Sequence, residues 1–247
     1  MSSGKVFGHK NTEGEIASSA AIVPYETSFA SIGMVIVKEE YRGLGLGKEA
    51  TQQCMNSLSS DVEIMLISTE DVKPLYEKMG FHIVYRVHKY ICNTYLTSNL
   101  TNTTVTIEHF NESDLTKIIE LDGAAFGDKR SNYLKHRINQ SEAYVVVKDN
   151  IGDIIGFGLS IVGAVNLIIG PIVAPDARVA SIILDKLAIG HQGKLRIDLP
   201  SGNEVFKVAV EKCGFVTVSN PPIMMVNSTK MPKRNGELYG IAAQVFG

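Results

Sequence analysis

Runs of β-branched and small apolar residues, broken by two stretches of helical periodicity, pattern the first 92 positions, and their order predicts a mixed fold. Residues 15–24 and 29–37 read as strands, 47–58 as a helix and 63–68 as a further strand. A second helix is expected over 72–79, stopped by Gly80, with a long strand over 81–92. This order of elements implies an α/β fold, a mixed sheet with helices packed on its faces.

The polar run 94–104, rich in Asn, Thr and Ser, reads as a linker. It divides the chain into a first domain over 1–96, a linker over 97–104 and a second domain over 105–247. In the second, Asn111-Glu112-Ser113-Asp114 caps a helix over 112–126, a helix is expected over 132–138 and a strand over 143–148, and Gly152-Asp153 marks a hairpin. Residues 154–174 carry no charge and meet the length criterion for a membrane span. Glycines at 156, 158, 163 and 170, with Asn166 and Pro171, instead predict two buried strands joined near Gly163-Ala164, so no membrane association is expected. A helix over 177–188 follows.

Two segments recur. Residues 32–39 align with 169–176, and Glu77-Lys78-Met79-Gly80-Phe81 with Glu211-Lys212-Cys213-Gly214-Phe215, at offsets of 137 and 134. Two matches in one order point to a duplicated unit. The copies differ where Gly43, Gly45 and Gly47 align with Ala180, Ile182 and Leu184, and Arg42 with Val179.

Composition narrows the function. A formal charge of −2 without a Lys/Arg run excludes a general nucleic-acid-binding surface. Cys54, Cys92 and Cys213 are odd in number and lack ligand spacing, so reduced thiols and no metal are expected. His9, His88, His109, His136 and His191 show no metal or triad spacing and read as structural or surface residues. Residues 1–14 lack an apolar segment, so a cytoplasmic protein is expected, whose Asn-X-Ser/Thr triplets at Asn99, Asn102, Asn111, Asn139 and Asn227 escape glycosylation.

The one segment that points to a ligand is Tyr41-Arg42-Gly43-Leu44-Gly45-Leu46-Gly47-Lys48. Alternate glycines between a strand and a helix let the backbone approach a bulky anion while helix N-terminal amides point at it. A flexible turn without a ligand is the alternative, but such a turn would serve both copies, and only the first keeps the glycines.

Together with the strand Val35-Ile36-Val37 and the segment Pro74-Leu75-Tyr76-Glu77-Lys78-Met79-Gly80-Phe81, this loop resembles the GCN5-related N-acetyltransferase (GNAT) superfamily. The second half resembles a degenerate GNAT-like domain through residues 122–130, Ile169-Gly170-Pro171-Ile172-Val173-Ala174, Ile197-Asp198-Leu199-Pro200 and Cys213-Gly214-Phe215. The resemblance implies tandem GNAT-like domains and an N-acetyltransferase that moves acetyl from acetyl-CoA to an amine of a small molecule or peptide. It implies that Arg42, Gly43, Leu44, Gly45, Leu46, Gly47 and Lys48 bind the cofactor diphosphate, that Val35, Ile36 and Val37 bind the pantetheine arm, and that Tyr76 is the general acid.

Members carry a further strand and two helices ahead of the strand that Glu15 begins, so the first domain reads as shortened at its N-terminus. The second domain then shapes the acceptor site or a homo-oligomer interface; Asp122, Phe126 and Arg130 either face the acceptor groove or cap and pack their own helix. Glu15, Tyr25, Glu26 and His82 are candidates for a base, with none singled out. Two other readings stand beside the enzyme: a non-catalytic acyl-CoA-binding or scaffolding protein, and a loop for another phosphate compound. A dinucleotide fold is disfavoured because no acidic residue lies at the distance a ribose contact needs.

Overall fold

The first helix falls where Leu46–Asn56 place Ala50 and Cys54 one turn apart, so that both sit on the sheet below. It is α1 in a chain that starts with strands β1 (Lys5–Lys10), β2 (Ile16–Pro24) and β3 (Phe29–Val37) and continues through β4 (Glu63–Ile67), α2 (Lys73–Glu77) and β5 (His82–Cys92). The second half contains β6 (Thr106–His109), α3 (Leu115–Phe126), α4 (Ser131–Gln140), β7 (Ala143–Lys148), β8 (Ile154–Val162), β9 (Leu167–Val173), α5 (Ala177–Ala188) and β10 (Leu195–Pro200). It ends with α6 (Glu204–Lys212), β11 (Val216–Ser219), β12 (Pro222–Val226) and β13 (Leu238–Gly240). The structure, a computed structural model, describes residues 4–98, 100 and 105–244. Asn99, Asn102 and most of the expected linker over 97–104 lie outside the described residues.

Two compact units form, and neither is continuous in sequence. The first comprises Met1–Tyr85, Pro222–Met231 and Gln244–Gly247, the second Arg86–Pro221 and Pro232–Ala243. In the first, the strand order is β1-β2-β3-β4-β12, with β12 pairing antiparallel to β4 from Ile223↔Ile67 to Val226↔Ile64. Strand β1, which has no counterpart among the expected elements, pairs antiparallel to β2. Ala20, Ile22, Ile32, Ala50, Cys54, Leu66, Phe81 and Met224 make the core between sheet and α1.

In the second unit the order is β5-β10-β9-β8-β7-β6, with β11 on β5 and β13 on β9. Residues 154–174 form β8 and β9 as expected, and among the described residues no helix is long and apolar enough to cross a membrane. Helix α5 packs against β8 so closely that a Cβ at Gly158 would lie 2.4 Å from Ile183 Cγ2. That approach is the reason for glycine there. All three cysteines are free and buried, and burial pushes the Cys54 thiol up to about 11.

The opposite face of this sheet carries α3 and α4. There Arg130 donates from Nε and Nη2 to the two Asp122 oxygens at 2.7 and 2.9 Å, with its guanidinium 3.8 Å from the Phe126 ring centre. At 1%, 0% and 2% exposure, Asp122, Phe126 and Arg130 are core residues that satisfy one another, and of the two expectations for them the packing role is the one found. A bidentate pair this deep tolerates no loss of one partner, because the survivor is a buried, uncompensated charge. Asp122→Ala is expected to destabilise the chain by roughly 3–5 kcal/mol in a denaturant titration.

Candidate active site

Strands β3 and β4 run parallel from Phe29↔Glu63 to Ile32↔Leu66 and pair no further. Residues 33–37 keep β2 on one side, through Ala21↔Gly33, Ser19↔Ile36 and Ser18↔Val37, but no described strand covers the other. The β2–β3 ladder slips between Ser19 and Ala21, where Met34 takes φ +51° and its carbonyl accepts the Ser19 hydroxyl at 3.1 Å. A non-glycine residue held at positive φ costs on the order of 1–3 kcal/mol, and bulges of this kind re-aim a strand beside a site. The bared edge of Val35, Ile36 and Val37 offers backbone donors and acceptors to an extended guest.

The chain then passes through a short 3₁₀ turn at Glu39–Tyr41 into the glycine loop. Gly43 and Gly45 have φ of +81° and +80°, and a Cβ on either would meet nothing within 4 Å. The glycines are therefore required by conformation rather than crowding. Gly47 differs, since a Cβ there would press on Val37 Cγ2 at 3.2 Å, closer than side chains ordinarily pack. The first helical bond of α1 is Glu49 N–H to Gly45 O at 3.0 Å, and the amides of residues 43–48 find no acceptor among the described residues. Arg42 and Lys48 are exposed beside them. Six unmet N–H groups at the positive end of a helix, flanked by two cations, are chemically suited to an anion.

Because β3 and β4 are parallel, the glycine loop and the connection leading to α2 leave the sheet at the same edge. Helix α2 brings Tyr76, which is 5% exposed and packs edge-on to Phe81 with ring centres 6.0 Å apart. Burial raises its phenol above the usual value, and no hydrogen bond ties the hydroxyl to another described residue. The base candidates are less free. Glu15 binds Lys38 at 2.8 Å, which holds its carboxyl below the ordinary range, and the buried Tyr25 hydroxyl shares a 2.9 Å hydrogen bond with Ser31. Glu26 is exposed, while His82 is half-buried with Nε2 lacking a partner among the described residues.

The second unit repeats the frame and closes it. Its parallel pairing of β9 with β10 runs from Leu167↔Leu195 to Ile169↔Ile197, ending at the repeat counterpart of Ile32. Beyond that point β13 pairs with β9 through Gly240↔Ile172 and Leu238↔Val173, and Ile241 N–H donates to Asp198 O on β10 at 2.9 Å. The edge that is bare in the first unit is thus occupied. At the start of α5, Asp176 accepts Val179 N–H at 2.8 Å, setting a carboxylate where an anion would have to lie. The lost glycines were legible in sequence; the strand that fills the notch was not.

Among the described residues no group of His, Cys, Asp or Glu is arranged to hold a metal ion.

Comparison with known proteins gives concordant matches. Two family models, each described as an acetyltransferase (GNAT) domain, match residues 1–89 and 118–240. The N-acetyltransferase YitH of Bacillus subtilis (strain 168), itself described as uncharacterized, is 36% identical over 250 residues, 99% of this chain and 86% of its own length. A putative acetyltransferase from Pyrococcus horikoshii superposes with a TM-score of 0.77 at 24% identity, covering 95% of this chain and 78% of the other. A tandem GNAT protein from the clavulanic acid biosynthesis pathway gives 0.63 at 10% identity, covering 87% and 80%. Both likenesses are of fold.

The two helix starts differ in what they tolerate. Gly45→Val is expected to lower stability by roughly 1–3 kcal/mol through backbone strain, and Asp176→Ala by about 0.5–2 kcal/mol through loss of a cap, both read from denaturant melts.

Proposed function

We propose a function that proceeds from one premise: the chain belongs to the GNAT acetyltransferase family. The family carries out acetyl transfer, and its domains typically use acetyl-CoA as co-substrate. In our reading the first unit alone holds acetyl-CoA and the acceptor is an amine of a small molecule or peptide. The observation that carries this is the pairing of a bare β3 edge with six unmet loop amides in one unit, against a filled edge and an acidic cap in the other.

The roles follow from the chemistry. The diphosphate lies on the amides of Gly43, Leu44, Gly45, Leu46, Gly47 and Lys48, with Arg42 and Lys48 adding charge. The pantetheine arm extends along Val35, Ile36 and Val37 as a strand would, which puts the thioester at the open end of the notch. A β3 amide polarises the thioester carbonyl, and as the amine nitrogen attacks, charge builds on that oxygen where the amide already points. The amine releases its proton to water, the tetrahedral adduct collapses, the C–S bond breaks, and amide and free CoA result.

Tyr76 supplies the proton to sulfur and its phenolate then regains one from solvent. A phenol near 10 is a weak acid toward a thiolate whose thiol is near 8.5, an uphill transfer of about 2 kcal/mol in water. Burial raises the phenol further and keeps it protonated, so it acts while the C–S bond is breaking rather than on a free, solvated thiolate.

Acetyl-CoA at a hundred times its Kd is expected to stabilise the chain by about 2.7 kcal/mol, while NAD and ATP leave the melting temperature unchanged. Thiol release from acetyl-CoA across a panel of amines then separates an enzyme from an acyl-CoA-binding protein. Tyr76→Phe should keep the stabilisation and lose roughly 10²- to 10⁴-fold in turnover; turnover equal to wild type would remove Tyr76 from the acid role.

A further inference from the structure

The glycine loop has little to hold it in place. The space beside Gly43 and Gly45 is open, since a Cβ on either would meet nothing within 4 Å, and the loop amides find no acceptor among the described residues, so its position follows that of the first turn of α1. Among the described residues, one polar side-chain contact ties that turn to the sheet. His9 on β1 lies cross-strand from Ser18 on β2, with Nδ1 2.7 Å from Ser18 Oγ, and its Nε2 stands 3.3 Å from Glu49 Oε2 on α1. Ser18 is in turn paired with Val37, the residue against which Gly47 rests.

The three side chains form a serine–histidine–carboxylate series, but not a nucleophilic one. Ser18 is 2% exposed, on the same side of the sheet as Ala20 and Ile22 and hence beneath α1, where no substrate carbonyl reaches it. His9 Nδ1 and Ser18 Oγ share a hydrogen bond, and Nε2 faces the Glu49 carboxylate, an ion pair when the ring is protonated. Ser18 thereby holds the ring beside Glu49.

We propose that His9, oriented by Ser18, is a positioning residue for the CoA diphosphate, acting through Glu49 to set the first turn of α1 against β3. This rests on the assignment of the diphosphate to the glycine loop. A second tie between the same strand and helix supplies an internal control, because Lys5 Nζ donates to Ser57 O at the far end of α1, 3.1 Å away. A contact that merely holds the helix would matter equally at either end.

The test is steady-state kinetics with acetyl-CoA varied and one amine acceptor held saturating. His9→Ala is expected to raise KM for acetyl-CoA about tenfold with kcat within about twofold, His9→Gln to recover most of the loss, and Lys5→Ala to leave KM unchanged. Glu49→Ala, at an exposed position that does not threaten folding, is expected to match His9→Ala, and the double variant to go no further than either single one. An unchanged KM in both His9→Ala and Glu49→Ala, an equal rise in Lys5→Ala, or a fall in kcat at constant KM would each overturn the proposal. A wild-type chain that shows no saturation by acetyl-CoA refutes the assignment of the loop itself, and this inference with it.

Discussion

A backbone N–H that finds no acceptor within the fold must find one in solvent or in a ligand. Strands β3 and β4 separate after Ile32 and Leu66, and this separation leaves one edge of residues 33–37 bare before the chain enters a loop whose amides over 43–48 are likewise unmet. The glycines permit the turn, the helix adds its dipole, and Met34 carries backbone strain at the point of divergence. Unpaired backbone, rather than a cluster of reactive side chains, is what this fold offers to chemistry.

The duplicated frame makes the point by contrast. Both copies stop their parallel pairing at the same repeat position, Ile32 in one and Ile169 in the other. In the second the resulting gap is taken by β13, Gly170 is pressed against Ile241, and Asp176 caps the helix. A chain segment can satisfy the same donors that a ligand would, so the second copy is stable without a guest and the first has the means to bind one.

Much of this was legible in the sequence because it is local. The strand over 29–37 and the helix over 177–188 have the expected bounds, and the α/β class followed from element order. The family resemblance likewise rested on contiguous residues around 35–48 and 74–81, and the matched domains agree with it. What escaped is non-local. Strand β1 is a short, half-exposed edge whose Lys5-Val6-Phe7-Gly8-His9-Lys10 pattern carries little apolar signal. Without it, the meeting of His9 with Ser18 and Glu49 has no sequence signature, and His9 reads as a structural or surface residue. Strand β12 joins a unit whose other strands precede residue 92, a connection that pattern reading along the chain does not detect. For Asp122 and Arg130 the sequence left two places open, the acceptor groove or the packing of their own helix, and their mutual pairing in the core selects the second.

The central claim is that the first unit alone binds the acyl donor, through backbone groups. Titrating acetyl-CoA into isotopically labelled protein while following backbone amide resonances tests it most directly. The account predicts that the largest shifts fall on residues 43–48 and 35–37, with those of residues 176–179 unmoved. Shifts centred on the start of α5, with the glycine loop silent, would contradict it.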